Sequence, residues 1–161
     1  MRVDFYQLSR DPVERALPLL ARATLKAGER MLVVSDDSEQ LERISEGLWA
    51  LPESLLANGR AGTVHDARQP VLLSASCEPA NGARFLALAD GKWREEASQF
   101  TRTFLLFDDV TVEAARGVWR NLRDRENTER HFWKQQGGRW TEAGYALPCR
   151  FVHSPLGARP T

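Results

Sequence analysis

A chain of 161 residues with 42% hydrophobic content is long enough for one domain with a real core and too short for two. Its 22 Lys and Arg balance 22 Asp and Glu, so the whole molecule lacks the cationic excess of a general nucleic-acid or membrane-surface binder. The longest apolar runs, Met31 to Val34 and Phe104 to Phe107, are strand-sized and far below the roughly 18 residues of a membrane helix. The N-terminal stretch has no signal-peptide core, which points to a cytoplasmic chain, and Cys77 and Cys149 sit outside any metal-ligand spacing and read as reduced thiols.

Val3 to Leu8 (VDFYQL) reads as the first strand. Asp11-Pro12 then supplies an N-cap with proline at the first helical position, opening a helix whose Leu17, Leu20 and Thr24 share a face and which Gly28 closes. Met31 to Ser35 is a second strand, buried by its unbroken apolar run. Asp37 or Ser38 caps a second helix that turns Leu41, Ile44 and Leu48 inward and ends near Trp49. A polar, glycine-bearing loop over Asn58 to Gln69 leads to three further strands, Val71 to Ser74, Arg84 to Leu88 and Arg102 to Phe107, with a turn at Pro79 to Gly82. A helix around Ala114 to Arg123 follows, then a hairpin from Phe132 to Trp140 turning at Gly137-Gly138.

This alternation predicts an α/β fold: a single-domain, Rossmann-like, open and largely parallel sheet with helices on both faces. It lacks a nucleotide-binding glycine loop, because Ser9-Arg10-Asp11-Pro12 follows the first strand and neither GxGxxG nor a P-loop occurs anywhere. Asp36-Asp37 and Asp108-Asp109 read as helix caps in preference to ribose or metal ligands. His65, His131 and His153 are scattered without metal spacing, and no nucleophile elbow is present. No catalytic residue, metal or cofactor is therefore expected.

The local exception to neutrality is the segment near the end. From Arg116 to Arg139 there are seven cations (Arg116, Arg120, Arg123, Arg125, Arg130, Lys134, Arg139) against three acids (Asp124, Glu126, Glu129), an excess of four. Arg116, Trp119, Arg120 and Arg123 fall at i, i+3, i+4 and i+7, which predicts one helix face carrying an aromatic platform ringed by guanidiniums, with Ala115, Val118 and Leu122 turned to the core. Such a face suits an acidic partner; its bland alternative is a solvated, ion-paired surface.

Several spaced pieces together resemble the chi subunit family of bacterial DNA polymerase III: Val3 to Leu8, Ala27-Gly28-Glu29-Arg30, Gly47-Leu48-Trp49, Gln69 to Leu73, Pro79 to Ala83, Phe107-Asp108-Asp109, Ala115-Arg116 with Trp119-Arg120, Trp133 to Gln136 and Gly138-Arg139-Trp140. The resemblance runs over roughly residues 3 to 142. It implies a chi-like domain over 1–142 and a C-terminal extension, 143–161, flexible in character though bearing Tyr145, Leu147 and Phe151. It also implies a non-catalytic accessory subunit of the holoenzyme's clamp-loader complex. Members hold the acidic C-terminal tail of single-stranded DNA-binding protein, contact DNA mostly indirectly, and in some cases bind the psi subunit or a helicase-like partner. Arg116, Trp119 and Arg120 match the family's tail-binding positions, with Val112, which replaces a residue basic in some members, and Arg123 at the periphery. Trp49, Leu55 and Leu56 fall where members carry the psi or helicase-like partner surface; Trp49 could equally belong to the core. Trp133 and Trp140 fit either a lid over the basic helix or a packed sheet edge. The rival functions are direct binding of single-stranded nucleic acid, since arginines with tryptophans also suit a phosphate track with base stacking, and an enzyme using the sheet crevice.

Overall fold

The computed structural model describes residues 1–52, 54, 56–136 and 139–142, with the side chains of 136 and 139 left aside. Among these residues, eight strands form one sheet flanked by three α-helices: β1 (Arg2–Gln7), α1 (Val13–Lys26), β2 (Met31–Val34), α2 (Ser38–Ala50), β3 (Asn58–Arg60), β4 (Val71–Ser74), β5 (Phe85–Leu88), β6 (Arg102–Phe107), α3 (Val112–Leu122), β7 (Glu129–Gln136) and β8 (Arg139–Glu142). The strand order is β3-β4-β2-β5-β6-β1-β7-β8, and every neighbouring pair is parallel except the final antiparallel β7–β8 pair. This is the expected open α/β sheet, with one strand, β3, arising inside the loop expected over Asn58 to Gln69.

Alternation along the strands divides the core in two. Tyr6, Met31, Val33, Val71, Leu73, Phe104 and Trp133 meet the apolar stripes of α1 (Ala16, Leu17, Ala21) and α2 (Leu41, Ile44, Leu48) on one face. Val3, Phe5, Leu32, Leu86, Leu105, Phe107 and Phe132 meet α3 through Ala115, Trp119 and Leu122 on the other.

Local chemistry sets the helix ends. The Asp37 carboxylate accepts from the backbone N–H groups of Glu39 and Gln40, so Asp37 is the cap of α2. The cap of α1 is Pro12, one residue later than expected, and Asp11 is held by the Gln135 amide instead. Gly28 takes φ +81°, the left-handed conformation that closes α1 and lets Glu29 N–H reach back to the Thr24 carbonyl. Pro18 lies inside α1 and has no N–H to give the Glu14 carbonyl. Against that same carbonyl α2 places Gly47, where a Cβ would overlap the Glu14 oxygen. The helices therefore cross closely at a point where one lacks a donor and the other lacks a side chain.

Candidate functional site: the basic face of α3

The Asp108 carboxylate accepts from the backbone N–H groups of Val110 and Thr111 and fixes the turn before α3, but the N-cap of α3 is Thr111, without a side-chain cap bond. The expectation that Asp108-Asp109 caps this helix is therefore corrected: the pair sits a turn too early to reach the helical N–H groups. The outward side of α3 carries the arginine row. Arg116 is half-buried and ion-paired with Glu113 one turn earlier; Arg120 is exposed; Arg123 is exposed with Asp124 only 3.8 Å away. Pairs of this exposure contribute little to stability.

Trp119 does not share that surface. It is 3% exposed, packs edge-on to Phe5 with ring centroids 5.1 Å apart, and meets Phe132 at 6.4 Å. The expectation of an outward aromatic platform is thus corrected. Trp119 lies four residues after Ala115 and three before Leu122, so it belongs to the apolar stripe as much as to the arginine row, and burial of the indole decides between them. Val118, expected inside, is half-buried, and Val112 packs partly against the same core.

What covers Trp119 is a residue the sequence did not single out for this role. Arg130, on β7, sits with its guanidinium carbon 4.3 Å from the Trp119 ring centroid, and its Nη1 donates to the Trp119 carbonyl oxygen at 2.8 Å. A charge at a helix's last turn is favoured by the exposed carbonyls there, and the ring face adds a cation–π contact. Only long-range pairing of β7 with β1 brings Arg130 to this place.

The remaining expected positions separate. Trp49 is 56% exposed at the end of α2, which removes its core alternative. Leu56 is 4% exposed and packed in the α1/α2 core, so the expectation of Leu56 as a partner surface is corrected; Leu55 lies outside the described residues. Trp133 is buried, stacked on Tyr6 at 5.8 Å, and Trp140 meets Tyr6 edge-on, both on the face opposite α3. They form a packed edge, not a lid over the basic helix. The turn expected at Gly137-Gly138 and the segment 143–161 lie outside the described residues.

The crevice beyond the ends of β1 and β6, where α1 and α3 leave in opposite directions, is lined by Asp11, Glu14, Asp108 and Asp109 against Arg10 and Arg43. Four acids against two cations make poor company for a nucleotide's phosphates. Among the described residues no three His, Cys, Asp or Glu side chains are placed to share a metal ion, and no helix is long and apolar enough to cross a membrane.

The family described as DNA polymerase III chi subunit, HolC, matches residues 1–129. The chain belongs to that family. No curated protein matches it. Chi-family membership makes it an accessory subunit of the DNA polymerase III replicase, and the matched span takes in β1 through α3, including the whole arginine row, and ends at the first residue of β7.

Proposed function

We propose that this chi-family subunit binds the acidic C-terminal tail of single-stranded DNA-binding protein and so couples the polymerase III clamp loader to coated template. What supports the reading most is the arginine row of α3, lying within the matched family span on a helix whose other side is anchored in the core. Arg116 and Arg120 are the principal tail contacts, Arg123 and Val112 lie at the rim, and Trp119 acts from beneath by holding the helix in place. Guanidinium forks pair with aspartates and with a terminal carboxylate in bidentate fashion. The subunit has no catalytic role of its own. Its link to the clamp loader runs through a psi subunit, with exposed Trp49 as the surface for psi or a helicase-like partner.

Direct binding of single-stranded nucleic acid is the weaker reading. Trp119 and Trp133 are buried, so neither offers a face for base stacking.

Calorimetric titration with an acidic, phenylalanine-ended tail peptide tests the proposal. Saturable binding is expected, lost with a scrambled peptide and weakened at least about tenfold, or about 1.4 kcal/mol, by Arg116→Ala. Equal binding of native and scrambled peptides, or binding only to single-stranded DNA, would overturn it.

A further inference from the structure

On the face of the sheet opposite α3, a cleft of about 510 Å³ opens between α1 and the β7–β8 hairpin. Its size is that of a small-molecule site. Tyr6, Phe104, Trp133 and Trp140 are among its walls, and its charged lining consists of Arg2 and Arg102.

Beneath those two arginines lies Asp4, wholly buried. Its Oδ1 accepts from Arg2 Nη2 at 3.1 Å and from the Trp133 indole N–H at 2.9 Å, while Oδ2 accepts from Arg102 Nε at 2.6 Å. A buried carboxylate is a poor device for stability, since its desolvation consumes most of what the pairs return. Its geometric effect is definite: one residue orients two guanidiniums and an indole around the same opening. Arg102 is further held over the Phe104 ring, 4.7 Å from its centroid, and the side chains of Arg2 and Arg102 remain 34% and 26% exposed.

Tyr6 supplies an independent sign of a ligand. It is 6% exposed and lines the cleft, yet its hydroxyl has no hydrogen-bond partner among the described residues. Unlike Thr103 Oγ1, this hydroxyl is not sealed inside the protein: it opens into the cleft, where it is free to donate to a ligand. Burial, and secondarily the Asp4 charge, push its pKa well above the ordinary tyrosine value, so it stays an O–H donor. Neighbouring His131 bonds to Glu129 and Glu142, and that trio lies outside the cleft lining.

We propose that this cleft is a binding site for an aromatic carboxylate, its anion held by the Arg2 and Arg102 guanidiniums and the Tyr6 hydroxyl and its ring lying against the Phe104, Trp133 and Trp140 walls. The charge selects the class. The two guanidiniums that line the cleft over the buried Asp4 suit an anion, while Glu142 and Glu129, whose charges reach Tyr6 and Arg2, disfavour a second negative charge and so favour a monoanion over a phosphate dianion. The site is separate from the arginine row of α3, and the inference does not rest on the tail-binding reading.

The test is calorimetric titration of the full chain with N-acetyl-phenylalanine, its amide, and a tetraglycyl-phenylalanine peptide with a free carboxylate. Binding of the acid is expected, with the amide at least about tenfold weaker because it cannot make charge-assisted bonds. Arg102→Gln should lose at least about tenfold, Tyr6→Phe should weaken binding several-fold, roughly one neutral hydrogen bond, and Arg116→Ala, across the sheet, should match the native protein. Thermal melts establish that each variant is folded, and Tyr6→Phe keeps the test valid should Arg102→Gln unfold. Tighter binding of the peptide than of the acid would identify the ligand as a polypeptide C-terminus, and the reverse a free aromatic acid; both support the site. Equal affinity for acid and amide, native-like binding by Tyr6→Phe, or no heat at about 5 mM ligand would overturn it.

Discussion

Replacing Trp119 by alanine removes an indole enclosed by Phe5 and Phe132, and the expected loss is about 3–5 kcal/mol of stability, read from the urea midpoint. Arg120→Ala should stay within about 0.5 kcal/mol in the same measurement, because its side chain is exposed. The contrast separates the two residues that a 3.6-residue period placed together. The arginine row itself was legible from spacing; the indole's side was not, because position 119 neighbours both stripes and tertiary packing chose. Thr103 Oγ1 is buried without a hydrogen-bond partner among the described residues, so Thr103→Val, similar in volume, is expected to raise stability by about 1 kcal/mol. Acid sensitivity belongs to this scale too. Burial raises the Asp90 pKa, but bonds from Arg94 and from the Asp36 and Lys92 N–H groups outweigh it, and Lys92 and Arg94 lower that of Asp36. Carboxyls that titrate lower in the folded state stabilise it above the unfolded value of about 3.9, and this is lost as pH falls through their folded values. Arg94→Gln should therefore flatten the acid limb of stability below about pH 4, measured by denaturant midpoints between pH 6 and pH 3.

Between elements, the tightest constraint is the crossing of α1 and α2. Gly47→Ala would drive a methyl group into the Glu14 carbonyl, backbone that cannot swing away, and the helices must part. The expected cost is about 1–3 kcal/mol, whereas alanine in a free helix would gain. The helices and the apolar strands were legible in sequence because their periods are strong: unbroken runs for β2 and β4, three- and four-residue spacing for α1 and α2. β3 was not. Its residues, Asn-Gly-Arg, carry no strand preference and are extended only because β4 offers an edge to pair with. The Asp4 cluster was equally hidden, since it joins β1, β6 and β7 through pairings that local spacing cannot reveal.

At the scale of the molecule, neutrality conceals separated faces. The arginine row lies on the α3 side, so tail binding should weaken steadily with salt as the Debye length falls from about 10 Å at 0.1 M to about 3 Å at 1 M. Salt-independent affinity in a calorimetric series would count against an arginine-led site. Family membership was legible because its motifs are spread along the chain, whereas the division of tryptophans between faces required the sheet.

The central position of β1 also bears on how the protein forms in time. The first strand made pairs with Arg102–Phe107 and Glu129–Gln136, stretches that leave the ribosome long after it does. β2, β4 and β5 can assemble with one another early, but β1 must wait with Val3 and Phe5 uncovered until the far end of the chain arrives. A translational pause before β6 therefore leaves an apolar strand exposed, and the interval in which chaperones matter most is set by topology and not by the stability of the finished fold.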